Sequence, residues 1–264
     1  MNPERYTLIT GAGKGFGKAL ARECAGRGFN LLLTALPGEG LASFAASLQK
    51  DFKIKTDFLE TDLTEKGAVQ KVYRWVHDHH YTLNRLINNA GLGSVGPFTS
   101  QEADFYAKQL DLNVKVTVLM SRLFVEELAR EPESRILNIS SMASFFSMPY
   151  KAVYSSSKRF INNFSMALRG EYIHTSLRVS VACPEPLITN ELVLQRINDQ
   201  GWLGRKVAMK PEEAARKCIR GLLKGKTMIL PGTASKIAFM LEKIIPQPLK
   251  VKLVSKLFHD NPPS

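Results

Sequence analysis

Residues 6–27 read YTLITGAGKGFGKALARECAGR. The first five are apolar or β-branched, the composition of a buried strand. From Lys14 to Arg27 the apolar side chains recur at helical spacing. Between the two a cluster of glycines turns the chain sharply. Strand, glycine turn and helix in immediate succession make the first half of a βαβ unit, whose strands pair in parallel.

The same rhythm continues outward from that stretch. FNLLLT (29–34) is a second expected strand and LASFAASLQKD (41–51) a second helix. KTDFLETDL (55–63) leads into a helix through AVQKVYRWVHDHH (68–80). RLINNAG (85–91) precedes a long helix from 102 to 130. RILNISS (135–141) precedes a helix over 154–172, LRVSVACPEP (177–186) is a sixth strand, and TMILPG (227–232) a short last one. Nearly continuous apolar strands alternating with helices predict an α/β fold, a doubly wound, Rossmann-like parallel sheet with helices on both faces. No repeat, low-complexity tract or long linker divides the 264 residues, so one domain (1–264) is expected.

Composition narrows the function classes. No run approaches the eighteen or so apolar residues of a membrane span, and MNPERYTLITGAG lacks the apolar core of a secretory signal. Cys24, Cys183 and Cys218 are scattered, which suits a reducing, cytoplasmic setting. The net charge of +12 is concentrated at the end, where residues 201–264 hold thirteen Lys or Arg against four Asp or Glu. The stretch from 233 to 264 alternates lysines with bulky apolar residues, and core or subunit packing is the expected reading. A pocket wall or peripheral contact with an anionic membrane is the alternative for this tail. The basic face lacks interleaved aromatics or a recognised nucleic-acid module, so no nucleic-acid partner is expected. His77, His79 and His80 lie at a helix end without acid or Cys companions at ligand spacing, and no metal is assigned.

In a doubly wound sheet, ligands bind beyond the carboxyl ends of the strands. The first such end carries TGAGKGFG (10–17), and Gly11, Gly13, Lys14, Gly15, Phe16 and Gly17 form the candidate dinucleotide cradle. There the backbone can approach a pyrophosphate, and the helix N-terminus offers it free N–H groups. Thr34, Ala35 and Leu36 put no carboxylate after the second strand to hold a ribose, whereas Lys14 offers a cation to a 2′-phosphate. NADP(H) is therefore expected over NAD(H). Asp62 and Leu63 end the third strand, where the carboxylate would accept from an adenine amino group or cap the next helix. Asn89, Ala90 and Gly91 end the fourth, as a wall of the adenosine pocket or simply as a turn. Further on, AVYSSSKRF (152–160) places Tyr154 and Lys158 on one face of a helix. A nearby ammonium stabilises a phenolate, bringing a phenol of pKa near 10 toward the range useful for proton exchange.

Together, TGAGKGFG, NNAG, the Asn of LDLNV, NISS and Tyr-x-x-x-Lys resemble the short-chain dehydrogenase/reductase family in its single-domain form, over about residues 5–190. The family's serine stands thirteen residues before its tyrosine, which selects Ser141 over Ser140. The resemblance implies that Tyr154 is the acid/base, Lys158 its activator and ribose ligand, and Ser141 the donor to the substrate oxygen. It implies that Asn113 interrupts its helix and holds a water linked to Lys158, and that Pro184, Ile188 and Thr189 flank the nicotinamide. It further implies a small carbonyl or alcohol substrate, a substrate lid within 190–225 with Trp202 beside the substrate, and a homodimer or homotetramer. Glu185 stands where the family has Gly and would add a carboxylate at the substrate mouth; Ser144 also departs from a frequent Gly. The rival expectation is a dinucleotide-binding sensor or scaffold without turnover.

Overall fold

The computed structural model of the chain describes residues 4–189 and 207–260. Seven strands form the sheet: β1 (Arg5–Thr10), β2 (Asn30–Ala35), β3 (Thr56–Glu60), β4 (Thr82–Asn88), β5 (Arg135–Ile139), β6 (Arg178–Ala182) and β7 (Met228–Ile229). They lie in the order β3-β2-β1-β4-β5-β6-β7, and every adjacent pair is parallel. Strand order reverses between β1 and β4, which opens a crevice at the carboxyl ends of those two strands.

Nine helices are described: α1 (Gly15–Ala25), α2 (Leu41–Phe52), α3 (Ala68–Asp78), α4 (Ala103–Leu110), α5 (Val116–Arg130), α6 (Ala152–Glu171), α7 (Pro211–Leu223), α8 (Thr233–Ile244) and α9 (Gln247–Asp260). Leu20 of α1, Leu41 and Leu48 of α2, and Ile219 and Leu222 of α7 pack with Ile9, Leu33 and Leu137 on one face of the sheet. Val72 of α3 and Met120, Phe124 and Leu128 of α5 pack with Leu8, Leu32 and Leu86 on the other. A strand covered on both faces is apolar at every position, which explains the uninterrupted runs in the sequence. The doubly wound sheet expected from the sequence is the observed one.

Several element ends differ from expectation, and for one reason. Thr61, Asp62, Asn89, Gly91, Ser140, Ser141 and Cys183–Pro186 lie outside the strands, in the loops that follow them. The expected helix from 102 to 130 is broken by a π turn, Asp111–Lys115.

Candidate active site

The crevice is assembled from four loops. Gly11 and Gly15 adopt positive φ, 66° and 49°. A Cβ on Gly17 would lie 1.9 Å from the Gly11 carbonyl oxygen, so only glycine closes this turn. The turn after β1 is tied to the loop after β4: Asn89 Nδ2 donates to the carbonyls of Thr10 (2.9 Å) and Gly11 (3.1 Å). Thr10 Oγ1 in turn accepts the N–H groups of Asn89 and Ala90, both at 3.0 Å. Asn89 and Ala90 thus fix the cradle's shape. Phe16 and Leu63 are buried in the two core faces. Helix α1 begins at Gly15 with no side chain capping it, leaving first-turn N–H groups free for an anion. Thr189, from the loop after β6, covers Gly15; its Cγ2 would touch an added Cβ at 3.1 Å.

Two readings of the strand ends need correction. A carboxylate does reach the end of β2: Glu39 pairs with Lys14 at 3.1 Å, and a Cβ on Gly13 would lie 2.4 Å from Glu39 Oε2. Inspection of residues 34–36 alone missed it, because the acid follows the Pro37-Gly38 turn. The available signal was its distance from the glycines, about twenty residues on, where such an acid usually stands. Asp62 neither caps α3 nor is free. Its Oδ1 accepts the Thr64 N–H (2.9 Å) and hydroxyl (2.7 Å), and its Oδ2 pairs with Lys108 at 2.9 Å. Burial raises the Asp62 pKa, but these Thr64 and Lys108 contacts outweigh it and hold the carboxyl below its usual range.

Ser141, Tyr154 and Lys158 meet beside this crevice. Ser141 Oγ accepts the Ala143 N–H at 3.2 Å, which leaves its own hydrogen free, and the Ser141 hydroxyl favours the Tyr154 phenolate. Lys158 Nζ lies 5.9 Å from the Tyr154 ring centroid, on the same face of α6. It donates to the Ile139 carbonyl at 3.0 Å. Burial brings the Lys158 ammonium down to about 8. The expected depression of the Tyr154 phenol is not found: burial raises its pKa, and the Ser141 hydroxyl opposes that rise. The physical reason is that the Lys158 charge is turned toward a backbone carbonyl rather than the phenol oxygen.

Asn113 lies in the π turn and is buried. Its Oδ1 accepts the Leu92 N–H (2.7 Å), while its Nδ2 donates to the Leu92 carbonyl (2.9 Å) and Ser157 Oγ (3.1 Å). A Cβ on Gly91 would meet both Asn113 Oδ1 and Lys158 Nζ at 3.2 Å. The Asn113 side chain therefore clamps the loop after β4, a task the expected water relay did not include. Gln109, not singled out from the sequence, joins it by donating to the Leu92 carbonyl at 3.0 Å. Ser144 links Ser141 to α6. Its hydroxyl donates to the Ser141 carbonyl (2.6 Å) and accepts from Asn162 Nδ2 (2.7 Å). A buried hydroxyl at the position of the family's small residue was the signal for this tie.

Beyond β6, the Pro184 carbonyl accepts the Met142 N–H at 2.9 Å, and the Ile188 N–H is taken by the Met209 carbonyl at 3.1 Å. The Ile188 N–H is thus engaged within the chain instead of being offered to a carboxamide. Glu185 does not reach the substrate mouth. It is buried and its Oε1 accepts the Ser235 N–H at 2.9 Å, in the first turn of α8. Much of the expected lid, with Trp202, lies outside the described residues. A cleft of about 670 Å³ is lined by Pro97, Phe98, Pro149, Tyr150, Ser255 and Lys256. Tyr150 holds a positive φ of 61° at its edge. The histidines serve locally: His77 Nε2 lies 3.1 Å from Glu127, and His79 Nδ1 meets the Trp75 carbonyl at 2.9 Å.

Comparison with known proteins places this geometry. Residues 5–198 match the family model described as short chain dehydrogenase. A putative oxidoreductase, SadH, of Mycobacterium tuberculosis is 27% identical over 252 residues, 91% of each chain. Hydroxysteroid dehydrogenase-like protein 1 of Gallus gallus is 27% identical over 199 residues, which are 74% of this chain but only 60% of that relative's length. A solved short-chain dehydrogenase from Sphingobium yanoikuyae, in complex with NADPH, has a TM-score of 0.76 at 22% identity, covering 92% of this chain and 95% of that one. Because the family model runs from β1 to beyond β6, the chain belongs to the short-chain dehydrogenase family, a family of oxidoreductases.

Proposed function

We propose that this protein is an NADP(H)-dependent reductase or dehydrogenase that interconverts a ketone and a secondary alcohol. The observation that carries the reading is the gathering of Ser141 and Lys158 around Tyr154, the Ser141 hydroxyl favouring the phenolate and Lys158 lying on the same helical face. The cradle fits a dinucleotide. Its α1 N-terminus has no side-chain cap, and Gly11 and Gly15 hold the positive φ angles that the turn before it requires. Bound NADP(H) would supply or accept the hydride. The remaining roles fall to the chain. Ser141 donates to the substrate oxygen as negative charge develops there. Tyr154 gives its proton to that oxygen in reduction and takes it back in oxidation. Lys158, held by the Ile139 carbonyl, would hold the cofactor ribose.

Lys14 supports the 2′-phosphate form, and the NADPH complex of the Sphingobium yanoikuyae structure agrees with it. The Lys14–Glu39 pair favours a second reading, in which Glu39 accepts a ribose hydroxyl and NAD(H) is used. The apolar cleft beside Tyr150 suits a hydrophobic carbonyl substrate. The name of the Gallus gallus relative points to the same substrate class. One domain, a cytoplasmic setting and a homo-oligomer built through α5 and α6 complete the proposal; Phe160 and Met166 on the exposed side of α6 support the last.

A non-catalytic binder has no need for both Ser141 and Tyr154. The test is NADPH oxidation with a panel of hydrophobic ketones. Turnover that Tyr154→Phe abolishes, with NADPH binding retained, supports the enzyme. NADPH binding without turnover on any carbonyl would favour the sensor.

A further inference from the structure

Helix α8 is turned the wrong way for a helix in water. Ser235 and Ala238 face inward and are buried, with Ala238 in the cluster of Phe145, Ile161 and Val181. Ile237 (52% exposed), Met240 (60%), Leu241 (40%) and Ile244 (72%) face outward. Their spacing, i, i+3, i+4 and i+7, makes one continuous apolar stripe. Leu249, Val251 and Leu253 of α9 are exposed too. Core packing, the preferred expectation for this tail, is therefore incorrect for these residues within the chain. Ser235, Ala238 and the partly buried Phe239 fill the space against the body of the protein, and Ile237, Met240, Leu241 and Ile244 are left outside.

Lys236, Lys243, Lys252 and Lys256 on the same two helices are exposed. Between residues 233 and 256 the one acidic residue is Glu242, and it is paired with Arg159 at 2.9 Å. An apolar stripe bordered by lysines, with its carboxylate neutralised, is the pattern of a helix lying in the plane of an anionic lipid surface. A second copy of the chain fits less well, since a two-fold interface would set these lysines against their own counterparts. No described helix is long and apolar enough to cross a membrane, so the contact is peripheral.

We propose that α8 and α9 form a docking surface for anionic membranes. Ser255 and Lys256 of α9 also line the cleft beside Tyr150, so docking sets the cleft beside the lipid headgroups. The proposal stands whether or not the protein turns over a carbonyl.

The test is sedimentation of the full chain with vesicles of phosphatidylcholine alone or with added phosphatidylglycerol, at low and high salt. Binding is expected for the anionic vesicles only and is expected to weaken with salt. Each lysine lost should lower it about fivefold, so Lys243→Ala/Lys252→Ala should bind about 25-fold more weakly. Ile244→Asp should weaken binding about tenfold or more. Thermal transitions of both variants establish that they fold, and the alanine pair, on the exposed surface, is the safer of the two. Absence of binding to anionic vesicles would overturn the proposal. So would a dimer in sedimentation velocity that Ile244→Asp dissociates, because the stripe would then be a subunit contact.

Discussion

Glu185, in the loop after β6, caps helix α8 by accepting the Ser235 N–H at 2.9 Å. Gly232 packs so closely that an added Cβ would lie 1.8 Å from Glu185 Oε1. A buried carboxylate at a helix N-terminus gains both a charge-assisted hydrogen bond and the helix dipole. Glu185→Ala is expected to cost about 2 kcal/mol, read as a lower urea midpoint. Gly232→Ala should destabilise as well, by forcing the carboxylate away. An Ala variant as stable as the parent would exclude the capping role.

The Lys158 pKa of about 8, against an ordinary 10.5, sets a pH dependence. Reduction should fall above about pH 8, approaching tenfold per pH unit, as the ammonium is lost. Stability runs the other way. Between pH 8 and 10.5 the unfolded chain holds a proton that the folded chain has released, so this residue's contribution rises with pH across that window. Below pH 8 its full burial penalty applies. A pH–rate profile and urea midpoints measured across this range check both signs, and Lys158→Met should flatten the stability difference.

Ser141→Ala should lower kcat by about 10²–10³ with little change in NADPH affinity, since the Ser141 hydroxyl accepts from Ala143 and acts on Tyr154. Steady-state kinetics alongside NADPH titration separates the two effects. An equal loss in both would mean that the serine serves only to shape the loop.

Glu39 and Lys14 pair at the cradle's outer edge. Glu39→Gln frees the lysine and removes a repelling charge, so the ratio of NADPH to NADH efficiency should rise about tenfold, the equivalent of ~1.4 kcal/mol. Lys14→Ala should lower the ratio to a similar degree. Unchanged ratios in both variants would place the discrimination elsewhere.

The parallel sheet and its ligand-binding edge were legible because burial on both faces writes apolar runs into the sequence and loop chemistry interrupts them. Tyr154 and Lys158 were legible together because helical spacing alone puts them on one face. Contacts between segments far apart in the chain were not. Glu39 reaches Lys14 only because β1 and β2 are neighbours, and Glu185 meets Ser235 across fifty residues. The local pattern ALPGEG reads as a turn, and CPEP as a loop beside a pocket. The direction in which Glu185 points depends on where α8 packs, and that placement follows from small residues such as Ala238 with no motif of their own. The Tyr154 pKa was misjudged for a related reason: the spacing places the ammonium nearby but does not reveal the Ile139 carbonyl that holds it.

The π turn at Asp111–Lys115 also works as a phase adjuster between two rods. Each residue of an α-helix advances the chain by about 100°, and the wider turn inserts one residue into that count. Everything after Val116 is therefore rotated by about 100° from the course an unbroken helix would follow. Gln109 before the turn and Asn113 within it face Leu92; downstream, Met120, Phe124 and Leu128 face the sheet. Removing a single residue from this turn would put the two halves out of step, so that either the clamp or the core, but not both, keeps its partners.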